Sequence, residues 1–254
     1  MKKILILVFF IHFFTFSQSI YVEYLETPKF NENFKKAMPK GMLAILSKSH
    51  LHILEYQNGE CIYKNHPKSL NIKPYDTTYV NNGIETRETL FNNTIEKLFY
   101  TNTIEKLILF SQPRGEKIAY VKDKFIQYNW VISEETKKIK NFLCKKATSI
   151  AKGINYTVWF TEDVPIDCGP RMINGLPGLV IYAENNNIVI EMKKIINNSS
   201  VKIERPNFEN QKTYTIDELT SEMLNSKNKK PETIISNDNN TTITKKKVTI
   251  SNLE

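Results

Sequence analysis

The chain has 254 residues, of which 41% are hydrophobic and 24% charged, with 35 lysines and arginines against 27 aspartates and glutamates. This composition excludes a collagen-like repeat, a cysteine-dense mini-protein and a protein with many membrane-spanning helices. Only 8 residues are glycine. Because Gly169, Gly175 and Gly178 lie so close together in a glycine-poor chain, we expect an unusual backbone geometry in that stretch.

The first nineteen residues have the pattern of a secretory signal peptide. A basic start at residues 1–3 precedes an apolar run over residues 4–16, and residues 17–19 form a small-x-small cleavage site. The apolar run is shorter than the roughly 20 residues that a transmembrane helix needs. We therefore predict cleavage near Ser19, export to the periplasm or outer cell envelope, and a mature protein that is not an integral membrane protein.

The opposite end, residues 225–254, is rich in Asn, Lys and Thr and has no aromatic residue. Such a segment cannot bury enough apolar surface to offset its ordering entropy, which predicts a disordered tail after a single domain over residues 20–224. The signal peptide carries two of the eight excess positive charges and the tail three, so the domain is nearly balanced. This charge distribution argues against a nucleic-acid partner.

Between these ends the sequence alternates short apolar runs with turn residues. Asn58-Gly59 and Lys152-Gly153 predict two β-hairpins, and residues 184–187 predict a third. A short helix is expected to begin after Thr215, which has the side chain of an N-cap residue. The predicted fold class is mainly β (α+β), with a curved or half-open antiparallel sheet and one or two short helices.

Two histidines in the first hairpin are the only metal candidates. His50 and His52 occupy alternate strand positions and so face one side of the sheet. The hairpin register predicted by Asn58-Gly59 places His52 opposite Asn65 and moves Cys61 and His66 away from the pair. The histidines therefore remain a weak metal candidate, and no cofactor is predicted.

The cysteines permit one disulfide in an oxidising compartment. Cys144 and Cys168 lie near the two ends of the second hairpin and can meet at its open end if the chain folds back after that hairpin. We predict this bridge, which leaves Cys61 as a buried free thiol.

The glycine-rich stretch contains an apolar turn at residues 176–179. Leu176, Pro177, Gly178 and Leu179 fit a type II turn, in which Gly178 would have a positive φ. An apolar turn is either a buried corner of the core or a surface that contacts an apolar ligand. The second interpretation gives a binding hypothesis for the turn and its neighbours, namely Trp159, Phe160, Gly175, Leu176, Pro177, Gly178 and Leu179.

Residues 175–180 also resemble the signature of the GLPGLI family, with Val180 in place of the final Ile. Further short motifs that match the family precede the signature in the expected order, namely Trp130, residues 135–139, 144–148, 159–161 and 164–166, and Gly169-Pro170. The resemblance covers most of residues 20–224. It implies an exported envelope protein of Bacteroidota in a family of unknown function, with no accepted catalytic residues.

Two functions are consistent with these features. The first is a non-enzymatic binding or accessory module of the cell envelope, whose apolar groove or capping turn holds a peptide, a lipid or an envelope protein. The alternative is a peptidase-like envelope hydrolase that uses Glu162, Asp163 or Asp167 as acid and base. The sequence has neither a G-x-S-x-G elbow nor an H-E-x-x-H motif, and this favours the binding module.

Overall fold

The computed structural model describes residues 19–38, 40–69, 75–81, 84–90, 97–114, 117–197 and 200–227. The predicted signal peptide up to residue 18 and the tail beyond residue 227 lie outside these ranges. The strands are β1 (Ser19–Pro28), β2 (His50–Gln57), β3 (Glu60–Asn65), β4 (Tyr75–Asn81), β5 (Ile84–Leu90), β6 (Leu98–Asn102), β7 (Leu107–Arg114), β8 (Lys117–Lys124), β9 (Val131–Ile139), β10 (Phe142–Ala151), β11 (Ile154–Thr161), β12 (Leu179–Glu184), β13 (Ile188–Asn197) and β14 (Thr213–Tyr214). The helices are α1 (Glu32–Ala37), α2 (Lys40–Leu46) and α3 (Ile216–Lys227), and a 3-10 turn covers Pro67–Ser69.

Twelve of the described strands form one open sheet, in the order β14-β8-β7-β6-β3-β2-β1-β13-β12-β11-β10-β9. Strands β4 and β5 pair separately as a two-stranded ribbon. In the large sheet, β14 runs parallel to β8 and the other described pairs are antiparallel. The predicted mainly antiparallel fold class is confirmed.

All three predicted hairpins are present. In the first, His52 lies opposite Asn65 and Tyr56 opposite Cys61, as the Asn58-Gly59 turn predicts. Both turn residues have positive φ values, 51° at Asn58 and 83° at Gly59, which is the geometry of a type I′ turn. The other two hairpins join β10 to β11 and β12 to β13. Local turn chemistry therefore sets the register of these strand pairs.

Helix α3 links strands from distant parts of the sheet. Its N-terminus is a capping box, in which the backbone N–H of Glu218 donates to Thr215 Oγ1 at 3.2 Å and the N–H of Thr215 donates to Glu218 Oε2 at 2.8 Å. Asp123 on β8 accepts from the N–H of Ile216, while Lys152 in the β10–β11 turn pairs with Asp217 at 2.6 Å. Since β8 and β10 lie towards opposite ends of the strand order, the sheet curves around its core.

Three helices are described where the sequence predicted one or two. Helices α1 and α2 follow β1 and are short; α1 has an N-cap in which Asn31 Oδ1 accepts from the N–H of Phe34 at 2.8 Å. Helix α3 extends to Lys227 and so enters the segment predicted as tail. Within the described ranges, no helix combines the length and the apolar character needed to cross a bilayer.

The turn at residues 176–179 differs from the predicted type II turn. The positive φ lies at Gly175, at 79°, and not at Gly178. Gly178 is instead required by a close approach, because a Cβ atom at this position would collide with the backbone carbonyl of Thr161. Leu176 and Leu179 are 3% and 0% exposed, so the turn is a buried corner between the loop and β12.

Gly178→Ala is expected to lower the free energy of unfolding by about 1–3 kcal/mol, because the added methyl forces the Thr161 backbone to move. Gly153→Ala is the matched control. Its Cβ would meet no atom within 4 Å, so its cost is only the positive φ, about 1–2 kcal/mol at most. Urea denaturation of both variants measures the difference. A smaller loss for Gly178→Ala than for Gly153→Ala would contradict the close-approach argument.

Candidate functional site

The loop over residues 162–178, between β11 and β12, is a compact part of the core. Backbone hydrogen bonds close it on itself, from Gly169 N–H to Ile173 C=O at 2.7 Å and from Leu179 N–H to Val164 C=O at 2.9 Å. Val164 and Ile173 are 6% and 5% exposed and pack into the main core cluster. The loop is therefore held firmly enough to position side chains across the sheet.

A disulfide fastens this loop to the middle of the sheet, and it is not the predicted one. Cys168 pairs with Cys61 on β3, with their Cα atoms 6.8 Å apart, which is within the range that a disulfide spans. The predicted Cys144–Cys168 bridge is wrong. Cys144 is a buried free thiol, whose Sγ donates to the C=O of Phe142 at 3.6 Å. The loop crosses the face of the sheet towards β3 instead of folding back along β10.

Most residues of the binding hypothesis for the apolar turn lie in or around the core. Phe160 is 0% exposed and Trp159 8% exposed, and Lys137 and Lys146 cover the indole ring of Trp159 at 5.6 Å and 5.8 Å from the ring centroid. Gly175 and Pro177 are the exposed members of the set. The apolar side chains of this turn pack against the core, so the turn contributes to stability.

The loop places a buried ion pair at the centre of the molecule. Arg171 has a positive φ of 57° and reaches Glu26 on β1, with Nε 2.8 Å from Oε1 and Nη2 3.0 Å from Oε2. The two side chains are 11% and 5% exposed. This bidentate geometry matches the planar guanidinium to the carboxylate. The pair joins two segments that are far apart in sequence.

Two further side chains contact Glu26, and a third contacts one of these two. Tyr63 donates its hydroxyl to Glu26 Oε1 at 2.9 Å, and its ring stacks on His52 with centroids 5.3 Å apart. His52 Nε2 lies 3.6 Å from Glu26 Oε2 and accepts from Asn65 Nδ2 at 3.1 Å, while Nδ1 lies 3.2 Å from the C=O of His50. Both ring nitrogens of His52 already contact other groups. His50 and His52 therefore do not offer a pair of free ring nitrogens to a metal ion.

The charges of this cluster follow from burial and from Arg171. Burial alone would raise the pKa of Glu26, but the charge and hydrogen bonds of Arg171, together with the neighbouring groups His52 and Lys97, outweigh burial and hold that pKa well below its usual value. For His52, burial lowers the pKa and the positive charge of Arg171 adds to this effect, against the opposing influence of Glu26. His52 is therefore neutral at neutral pH. The short His52–Glu26 approach is accordingly a contact of a neutral imidazole and not an ion pair.

This network positions Arg171; it does not supply acid–base chemistry. The carboxylate of Glu26 already accepts two hydrogen bonds from Arg171 and one from Tyr63. A buried carboxylate with a strongly lowered pKa is a weak base at neutral pH. What the network does is fix the guanidinium of Arg171 in one orientation at the edge of a cavity.

The cavity lies between the loop and the strands β11, β12 and β13. It is partly open and has a volume of about 20 Å³, somewhat more than a single water molecule requires. Its lining is mainly apolar and includes two charged residues, Arg171 and Glu184. The lining residues are Tyr128, Tyr156, Arg171, Met172, Ile173, Ala183, Glu184, Asn185, Ile188 and Ile190.

An aromatic group adjoins the cavity. Tyr128 stacks on Trp130 with ring centroids 4.8 Å apart, and Tyr156 meets Tyr128 edge-on at 5.3 Å. Trp130 is anchored to the loop, because its Nε1–H donates to the C=O of Asn174 at 2.8 Å. Trp130 and Tyr156 are both partly exposed. The aromatic group thus joins the loop to β11 and offers ring surface beside the cavity.

The acids of the predicted hydrolase alternative are on the outer side of the loop. Glu162, Asp163 and Asp167 are all exposed. Glu162 pairs with Lys145 at 2.8 Å, with both side chains about half exposed. Among the hydrogen bonds of the described residues, none joins these three acids to the Glu26–Arg171 pair. Their surroundings are those of solvated surface groups.

Comparison with known families decides the assignment. The model of the family described as N-glycanase peptide, N-terminal domain, matches residues 54–222, which is more than half of the chain. The chain belongs to this family. The matched range runs from β2 to α3 and includes the loop with Arg171. The resemblance to the GLPGLI family is therefore wrong, because its signature at residues 175–180 lies inside the range that matches the N-glycanase domain.

The functional prediction changes with the family. The expectation of a non-enzymatic module of unknown function is wrong, since the matching family is named for an enzyme, the N-glycanase. Two similar solved structures are those of PNGF-II in space groups P21 and C2, with 16% and 15% identity and a TM-score of 0.48 for each. They match 89% and 82% of this chain but 38% and 32% of theirs. The chain spans about a third of the length of these structures. No curated protein matches the sequence.

Sequence reasoning missed both members of the central ion pair. Glu26 did carry a signal, because it continues the alternate positions of Val22 and Tyr24, which are buried. A carboxylate on the buried face of a strand requires a partner. Arg171 carried no comparable signal, because it lies in an irregular loop and meets Glu26 only in the folded chain.

Proposed function

We propose that this chain acts in the removal of N-linked glycans, as the domain that lies N-terminal to the hydrolytic part of an N-glycanase. The observation that carries the proposal is the family match over residues 54–222. This range holds the whole β11–β12 loop and all the residues that line the cavity. The partner in this role is a glycoprotein with an asparagine-linked glycan.

The geometry supports a role in presenting the substrate. An N-glycanase cleaves the amide bond between the glycan and the asparagine side chain, so it must hold sugar and peptide together during the reaction. The described part of the chain offers a fixed guanidinium, a small cavity and a partly exposed aromatic surface on one side of the loop. Such a site orients a bound group, because its side chains are locked before the ligand arrives.

Export remains part of the proposal. We propose that residues 1–19 direct the chain out of the cytoplasm, to the periplasm or outer envelope. The Cys61–Cys168 disulfide supports this location, because structural disulfides persist in oxidising compartments. A single domain over residues 20–224 is likewise proposed, with α3 running slightly beyond it to Lys227.

The test is a glycan-release assay with the full chain. An N-glycanase that consists of the hydrolytic part only is incubated with a folded N-glycoprotein, with and without the chain, and a third reaction contains the chain alone. Mass spectrometry measures the released glycan and the conversion of asparagine to aspartate. We expect the chain to raise the release rate severalfold, and a heat-unfolded sample of the chain to leave it unchanged. Equal rates with and without the folded chain, together with no release by the chain alone, would overturn the proposal.

A further inference from the structure

We propose that the cavity beside Arg171 is a subsite for the acetamido group of an N-acetylhexosamine. The acetyl methyl would enter the cavity, the carbonyl oxygen would accept hydrogen bonds at its mouth, and the sugar ring would lie outside, against the aromatic group. This inference rests on the proposed function, because an N-linked glycan begins with an N-acetylated sugar. It adds the position and the chemical basis of recognition.

The size and lining of the cavity select a small apolar group. Its volume of about 20 Å³ corresponds to room for about one water-sized group, which is the size of a methyl group. Ala183, Ile188 and Ile190 form the inner wall and are 2%, 7% and 2% exposed. Water hydrates this apolar wall poorly. A methyl group placed there would make van der Waals contacts with the wall on several sides.

Two donors line the cavity and suit a carbonyl oxygen. Arg171 has five N–H groups, and its hydrogen bonds within the described part of the chain use only those of Nε and Nη2, both to Glu26. Asn185 is 5% exposed, and its Oδ1 accepts from the backbone N–H groups of Asn187 and Ile188 at 2.8 Å and 3.0 Å. Among the described residues, its Nδ2 group donates to no acceptor. Such a buried donor is costly unless a ligand or water accepts its hydrogen bond.

The charge of the site favours a neutral ligand over an anion. The positive charge of Arg171 is compensated by the bidentate contact with Glu26, which lies behind the lining. Glu184 is the carboxylate of the lining itself and pairs with Lys29 at 3.4 Å. An acidic ligand would therefore lie beside the Glu184 carboxylate. An amide carbonyl carries no net charge and still accepts from a guanidinium, so an acetamido group fits the electrostatics better than a carboxylate does.

The aromatic group supplies a surface for the sugar ring. Tyr156 both lines the cavity and contacts Tyr128, and Trp130 continues the row. Partly exposed tyrosine and tryptophan side chains combine apolar faces with polar tips, which matches the mixed apolar and hydroxyl surface of a sugar. The methyl pocket and the ring surface are adjacent, as an acetamido sugar requires.

The test is saturation-transfer NMR with the full chain and two probes, N-acetylglucosamine and glucose. We expect saturation to be strongest at the acetyl methyl of N-acetylglucosamine, with a Kd on the order of 1 mM, and expect glucose to bind at least about tenfold more weakly. Met172→Phe places a larger side chain at the cavity and should weaken N-acetylglucosamine binding about tenfold. Met38→Phe is the matched control at another partly buried methionine outside the lining, and it should bind like the unmodified chain.

Circular dichroism and thermal melting establish that each variant is folded. If Met172→Phe does not fold, Ala183→Val narrows the same cavity by a smaller change and takes its place. The inference is overturned if the folded chain shows no methyl saturation, if glucose binds equally well, or if the cavity variant and Met38→Phe bind alike. Because this readout is direct binding, sugar binding without any effect on glycan release would refute the proposed function alone, and the reverse result would refute the subsite alone.

Discussion

Replacement of Arg171 by methionine is expected to lower the free energy of unfolding by about 3–5 kcal/mol at neutral pH. The methionine keeps an apolar stem in the loop but leaves the Glu26 carboxylate without its cation. Glu26 is 5% exposed at its side chain, so water cannot replace the lost partner. Removing one member of a buried ion pair exposes the full desolvation cost of the other.

Urea denaturation measures this change, with Arg205→Met as the matched control. Arg205 also pairs with a glutamate, Glu105, at 2.8 Å, but the two side chains are 46% and 48% exposed. An exposed pair contributes only about 0–1 kcal/mol. Similar losses in the two arginine variants would contradict the conclusion that the Arg171–Glu26 pair is buried and structurally central.

The pH dependence of the Arg171 variant has a defined sign. In the unmodified chain, the pKa of Glu26 is lowered, so its contribution to stability is complete above the usual glutamate pKa and fades as the pH falls below that value. In Arg171→Met, burial remains without the arginine and raises the pKa of Glu26, so protonation relieves the buried charge as the pH falls. The stability difference between the two proteins should therefore narrow from neutral towards acidic pH. Adding Glu26→Gln to the variant should recover part of the loss at neutral pH.

Removal of the Cys61–Cys168 disulfide in a Cys61→Ser, Cys168→Ser double variant is expected to cost about 4–5 kcal/mol of unfolding free energy. The two cysteines are 107 residues apart, and a bridge that closes so long a loop strongly restricts the unfolded chain. It also fastens the loop that carries Arg171 to β3, so the variant should weaken the ion pair at the same time.

Denaturation with and without a reductant tests this pairing. The unmodified chain should lose stability on reduction, while the double variant should not respond. Cys144→Ala is the control, and it should respond to the reductant as the unmodified chain does, because Cys144 is free. A Cys144→Ala variant that ignores the reductant would instead support the Cys144–Cys168 pairing expected from the sequence.

The features that the sequence predicted well are the local ones. The Asn58-Gly59 turn fixes the register of β2 and β3 down to the pairing of His52 with Asn65, because a two-residue turn leaves one alignment of the strands. The capping residue Thr215 likewise marks the start of α3. Each of these depends on residues within a few positions of one another.

The candidate site depends on long-range contacts and could not be predicted in the same way. Nothing near Cys168 indicates that its partner is Cys61, since the choice depends on the path of the loop across the sheet. The same holds for Arg171 and Glu26, and for the cavity walls supplied by Ile188 and Ile190. The requirement for glycine at position 178 also arises from a distant carbonyl, that of Thr161. Turn statistics alone suggested a positive φ there.

The position of β1 in the sheet affects how the chain assembles. β1 is an early strand, yet one of its neighbours is β13, so that Ile20 pairs with Asn197. Nearly the entire domain must therefore be synthesised, and under the proposed export also translocated, before β1 can complete its hydrogen bonds. Contacts between such distant segments slow folding, because the chain loses the entropy of closing a long loop before the stabilising contacts form. Until β13 pairs with it, β1 has an open edge that can pair with other chains. The risk of aggregation is therefore greatest before β13 joins the sheet.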